Sequence, residues 1–206
     1  MDKKRLFWIL MLILPALLPA CGGTKIIDPW RDPAFPGGLK KVFVIGVVRT
    51  RGPRSMLEDE FARQLKARGI DAVASTSVLP DEPLPARDII AAKVRESGAD
   101  AVIAAKFIKK VSAETYSPSR LYAVPHNFDA EWDPTIAATQ WTDSGLSEFA
   151  YDYYVAVMQT TVYSVGTGKP VWSAISETKY QGAIMHQVRP FVNAVMNRLI
   201  HEKLVP

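Results

Sequence analysis

On its pattern the chain is an α/β (α+β) protein with a single domain. The expectation is a mixed sheet of about five strands with three helices, ordered β-α-β-α-β, then a long β-hairpin and a C-terminal helix. Three features carry it. Apolar runs alternate with helical periods over residues 40–111, two long strand-like runs flank a Gly-rich turn over 151–178, and helical spacing returns over 183–204. A length of 206 residues fits one compact domain or at most two small ones. With 48% apolar and 22% charged residues, disorder of the whole chain is excluded.

Residues 40–48 (KKVFVIGVV) form an unbroken apolar run that suits a strand covered on both faces. Ser55, Met56, Leu57 and Glu58 have the S-x-x-E form of a capping box, which predicts a helix start. Met56, Leu57, Phe61 and Leu65 then recur at helical spacing. Glu58, Asp59 and Glu60 suit the positive helix end, and Arg63, Lys66 and Arg68 the negative one. Gly69 is the natural stop.

A short second strand is expected over 70–74, then a Pro-rich loop (Pro80, Pro83, Pro85). A second helix follows over 86–97, with Ile89, Ile90 and Val94 inward and Gly98 at its end. Residues 100–111 (DAVIAAKFIKKV) are the third strand, and short links between these elements imply parallel neighbours with right-handed crossovers.

The pattern breaks over residues 115–149, an irregular aromatic insert with prolines at 118, 125 and 134. Inserts of that length are commonly functional or disordered. Residues 151–165 and 170–178 read as the hairpin strands, with Gly166, Thr167, Gly168 and Lys169 as the turn. In the last helix Ile184, Val188, Phe191, Val192, Val195, Leu199 and Ile200 share a face. Pro190 either kinks that helix or marks its first turn.

Residues 1–20 read as an export signal: Lys3, Lys4 and Arg5, then an apolar run over 6–20 broken by Pro15 and Pro19. About 20 residues are needed to cross the hydrocarbon, so this run is a processing signal and not a span. Leu18, Pro19, Ala20 and Cys21 resemble the bacterial lipobox, and Cys21 is the only cysteine. The resemblance implies that the Cys21 thiolate receives fatty acyl chains and becomes the mature N-terminus. Two or three such chains make a durable tether. Gly22, rather than Asp, implies sorting to the outer membrane, facing the periplasm. Residues 21–38 are then a lipidated cysteine with a flexible tether, partly pinned by Trp30 and Phe35, and 39–206 the globular domain. A tether of about 17 residues would allow a reach of a few tens of ångströms.

The order of elements, together with Lys66-Ala67-Arg68-Gly69, Ser97-Gly98-Ala99-Asp100-Ala101 and Gly168-Lys169-Pro170-Val171-Trp172, resembles a group of bacterial lipoprotein domains. The group comprises the curli-secretion lipoprotein CsgG, the activator lipoproteins of peptidoglycan synthases (LpoB-like) and the N-terminal domain of TolB. The resemblance covers roughly residues 38–204 and contains no catalytic motif. It implies an envelope binding or assembly role. A secretion channel is not expected, because membrane strands need about 9–11 alternating residues. The insert is interrupted by its prolines and carries Arg120, Asp129, Glu131, Asp133 and Asp143.

Chemistry is scarce. The 25 Lys and Arg against 21 Asp and Glu give +4, and without residues 1–20 the balance is 22 − 20 = +2, so no nucleic-acid partner is expected. One cysteine excludes an intrachain disulfide and a cysteine-based zinc site. His126, His186 and His201 do not stand at metal-ligand spacing, and no metal or cofactor is expected. The Gly166–Lys169 turn lacks the rest of a phosphate loop, since Tyr163 stands at its first glycine position and Pro170 follows the lysine.

Arg49, Arg51 and Arg54 lie between a strand's carboxyl end and a helix start, where α/β folds hold anions. The alternative for them is a solvated turn paired with Glu58 and Asp59. Tyr116, Tyr122, Trp132 and Trp141 offer rigid contact area for a partner, or fold back over the sheet. The functional expectation is a non-enzymatic, lipid-anchored periplasmic protein that binds or helps assemble envelope partners, a protein or peptidoglycan. The alternative is a regulator of a peptidoglycan-synthesising enzyme reached from the outer membrane.

Overall fold

The computed structural model of the chain describes residues 23–48, 50–79, 84–112 and 154–206. Among these residues the elements are β1 (Thr24–Arg31), β2 (Lys41–Val47), α1 (Arg51–Lys66), β3 (Asp71–Ala74), α2 (Arg87–Ser97), β4 (Ala101–Ser112), β5 (Tyr154–Ser164), β6 (Pro170–Tyr180) and α3 (Val188–His201). Short 3-10 turns occupy Ser75–Ser77 and Ile184–Gln187. The strands form one six-stranded mixed sheet in the order β1-β6-β5-β4-β2-β3. β2 runs parallel to β3 and β4, and β4, β5, β6 and β1 follow as successive antiparallel neighbours. This is the expected α+β class, with one strand more than the pattern of residues suggested.

The apolar run at β2 is explained by its two covered faces. Val42 and Val44 pack with α1 and α3, whereas Phe43, Ile45 and Val47 pack with Ile90 and Val94 of α2. The larger core lies under α1 and α3, where Phe61 and Phe191 meet edge to face at 6.0 Å and 87° beside buried Leu65, Val195 and Trp172. Edge-to-face contact is the favoured arrangement of such rings. Ile89, read as inward, and Met56, placed with Leu57, Phe61 and Leu65 at helical spacing, are 46% and 44% exposed. Each lies one position before the residue, Ile90 or Leu57, that carries the buried stripe.

The extra strand comes from the segment read as a tether. Thr24–Arg31 pairs antiparallel with β6, with a register shift between Ile27 and Trp30 where Asp28 takes φ 45° and Pro29 follows. Proline is tolerated there because β1 is an edge strand and its amide need not complete a ladder. Phe35 packs on the main core and Trp30 is 37% exposed. The chain's far end closes against this region: Leu204 is buried, and its carbonyl accepts from the Gly38 and Leu39 amides. Gly37 makes that approach possible. Its φ is +83°, and a Cβ would stand 2.2 Å from the Lys203 carbonyl oxygen.

The first helix also starts earlier than the capping box implies. Thr50 is the N-cap, and Pro53 falls in the first turn, where a missing amide leaves no helix bond unmade. The Ser55 hydroxyl donates to the Gly52 carbonyl, so it caps nothing. Glu58 points into the core, as described below. Pro190 likewise lies in the first turn of α3, which settles its two readings in favour of a helix start.

Candidate functional site

At one end of the sheet the helix starts and three strand ends surround an apolar cavity of about 350 Å³. The register shows which end this is. Ser112 pairs with Tyr154, Tyr154 with Tyr180, and Thr24 with Thr178, so β4 leaves, β5 enters and β1 begins there. The floor is Phe107, Ala156 and Met158 of the sheet. Pro53 and Leu57 of α1 form one wall, and Ile184, Met185, Val188 and Phe191, leading into α3, form the other. Met158 and Met185 give it an adaptable lining. Polar groups lie among Thr50, Lys110, Thr178, Tyr180 and Gln187.

Around this end stand exposed Lys25, Lys109, Lys110, Lys179 and Arg51. The Lys110 ammonium lies 4.0 Å from the centre of the Tyr154 ring, a cation–π contact, and Tyr154 stacks at a tilt on Tyr180 with centroids 5.7 Å apart. Burial pushes the Tyr180 phenol up to about 12, with the neighbouring Tyr154 adding to the shift. Glu177, buried on the other face, is raised by desolvation while Lys25, Lys109 and Lys179 pull it down.

Of the arginine loop, the described residues settle only Arg54, which is not available to an anion at the surface. Arg54 is 1% exposed and is committed to the core. Its Nε donates to Glu58 Oε1 at 3.0 Å and its Nη2 to the Ser75 hydroxyl at 2.7 Å, and Ser75 in turn donates to Glu58 Oε1. The Gly46 amide also donates to Oε1, and the Thr76 amide to Oε2, both at 2.8 Å. One carboxylate thus collects α1, β2 and the turn after β3. Gly46 lets the helix come this close, since a Cβ there would stand 3.3 Å from Leu57 Cδ2 and 3.4 Å from Arg54 Cγ. A buried cation satisfied within the fold is a structural fastener, not an anion site. The alternative pairing with Glu58 is therefore the one found for Arg54. Arg51 is exposed at the first position of α1, and Arg49 lies outside the described residues.

Cys21, Tyr116, Tyr122, Trp132, Trp141 and His126 also lie outside the described residues. His186 and His201 stand before and at the end of α3, far apart along it. Among the described residues no group of three His, Cys, Asp or Glu side chains is placed to hold a metal, and no helix is long and apolar enough to cross a membrane. The Gly166–Lys169 segment is a hairpin turn, with Gly168 at φ 67° and its amide on the Ser164 carbonyl. Sequence reasoning missed the cavity. Its only local signal was Ile184 and Met185, two apolar residues ahead of the helix that owns the buried stripe.

The fold and cavity together define an α+β sheet domain with an apolar recess at its strand ends among the described residues, and no more specific class. No protein-family profile and no curated protein matches the chain. Among solved structures it is similar to the PelC dodecamer from Paraburkholderia phytofirmans. The TM-score is 0.48 at 15% identity, covering 85% of this chain and 96% of that one. It is also similar to lipoprotein GNA1162 from Neisseria meningitidis, at TM-score 0.40 and 13% identity, over 79% and 99% of the two chains. A PDZ domain protein from Parabacteroides distasonis gives TM-score 0.41 at 10% identity, covering 89% of this chain and 36% of that one.

Proposed function

We propose that this chain is a non-enzymatic, lipid-anchored envelope protein of the outer membrane, facing the periplasm, which binds or helps assemble envelope partners at the bilayer surface. One observation carries the reading: β1 begins at Thr24, three residues after the lipobox cysteine and at the sheet end that bears the cavity. Three residues span at most about 11 Å. A lipid on Cys21 therefore holds that end against the membrane, where the expected tether of seventeen residues would have let the domain wander. The exposed lysines at this end favour the same orientation, each attracted to anionic lipid by about 1 kcal/mol.

The short leash weighs against the second reading, a regulator that reaches a peptidoglycan-synthesising enzyme from the outer membrane, because the body of the domain must then supply the reach. Partners are met near the bilayer, and Tyr116, Tyr122, Trp132 and Trp141 belong to the segment that leaves and re-enters at this same end. The test is fractionation with in-cell crosslinking. Wild type should fractionate with the outer membrane and carry a lipidated Cys21 by intact mass, while Cys21→Ser is released. Crosslinkers at Trp132 or Trp141 should capture a distinct envelope protein or peptidoglycan. A soluble wild-type protein with a free thiol sinks the anchor, and capture of lipid alone sinks the partner role.

A further inference from the structure

We infer that the apolar cavity is the docking site for one of the chain's own N-terminal acyl chains. The inference rests on the lipid-anchor reading and adds to it a second, structured attachment. Gly23 is held at the sheet end: the Lys179 amide donates to its carbonyl at 2.8 Å. Lys179 lies between Thr178 and Tyr180, both of which line the cavity. Thr24 faces the same side of the sheet, its hydroxyl 2.9 Å from that of Thr178. Cys21 is two residues further on, about 7 Å of extended chain. An acyl chain on its sulfur or amino group starts within about 7 Å of Gly23, and tethering makes entry intramolecular, with a high effective concentration.

The cavity's chemistry selects hydrocarbon over peptide. Its volume of about 350 Å³ lies within the range of pockets that enclose small apolar ligands, about 300–1,000 Å³. The Ala156 and Met158 part of its floor lies on β5, whose backbone is paired with β4 on one side and β6 on the other. A peptide entering it would bring amides and carbonyls that need partners there. A methylene chain brings none. Phe107, Leu57, Val188 and the two methionines provide the surface such a chain requires, and Lys110 stays at the polar rim.

The test uses the full chain, expressed in a bacterium that lipidates it, with Met158 replaced by p-benzoylphenylalanine. Val188 serves as a second site should the first variant fail to fold, and exposed Ile89 on the opposite helix as the control. After irradiation, peptide mass spectrometry should find the acylated Cys21 peptide joined through its fatty chain to the peptide carrying position 158 or 188. The yield should be at least about tenfold above that at position 89. Adducts only with phospholipid or with peptide, equal yields at all positions, or no adduct while intact mass shows a lipidated Cys21 would overturn the docking and leave the anchor standing. An intact mass without lipid overturns the anchor reading, and the docking with it.

Discussion

Replacing Glu58 with glutamine tests the fastener under α1 most directly. The carboxylate is fully buried and accepts from Arg54, Ser75 and the Gly46 and Thr76 amides. The amide side chain keeps one oxygen, removes the charge that compensates Arg54, and turns an NH2 group toward a donor. Leaving a buried charge without its partner costs about 3–5 kcal/mol. A domain of this kind has about 5–15 kcal/mol in total. With a urea dependence of about 2 kcal/mol/M, the unfolding midpoint should fall by about 2 M. Circular dichroism in urea measures it. Replacing both partners, with Arg54→Met added to Glu58→Met, should recover part of the loss. It cannot recover all, because the Gly46 and Thr76 amides each lose an acceptor at about 1–3 kcal/mol. A midpoint shift below about 0.5 M for Glu58→Gln, or stabilisation by phosphate that depends on Arg54, would show that Arg54 is not a satisfied core cation and would reopen the anion-site reading.

Two further outcomes follow from the chain's close approaches and burial. Gly37→Ala should lower stability by about 2–4 kcal/mol, since the left-handed backbone and the 2.2 Å approach to Lys203 both act against a Cβ. Gly38→Ala, at φ +76° with open space, should lose only the backbone part, so matching thermal midpoints for the two variants would contradict the clash. The Tyr180 phenol ionises near 10 in the unfolded chain but only at about 12 when folded. Between those values the unfolded state gives up a proton that the folded state keeps. Its contribution is whole below pH 10 and is lost as pH rises to 12, about 2–3 kcal/mol. Urea titrations of wild type and Tyr180→Phe should diverge only in that window, and parallel curves through pH 12 would contradict the burial.

Most of the scaffold can be read from local patterning. β2, β3, α2, β4 and the hairpin follow from apolar runs, a Gly98 stop at φ 67° and a Gly-rich turn, because each depends on neighbours within a few residues. Two misreadings share one cause. Pro29 and the glycines around it made β1 look like a linker, yet an edge position beside β6 excuses the proline. Ser55 and Glu58 match a capping box by spacing, yet Glu58 is drawn inward by the Gly46 and Thr76 amides and by Ser75, residues 12 to 18 positions away. Arg54 is likewise drawn inward by Glu58 and by Ser75, 21 positions away.

Spacing along the chain encodes which residues can share a helix face or alternate on a strand, and so it was enough for the class of fold and the order of the elements from β2 to α3. It does not encode which distant groups converge. The cavity exists only because β4, β6, α1 and the turn before α3 end together. The burial of Arg54 likewise needs a carboxylate already held by other strands. Both are consequences of packing, where desolvation makes each polar group seek whichever partner the fold brings within reach, whatever its distance in sequence.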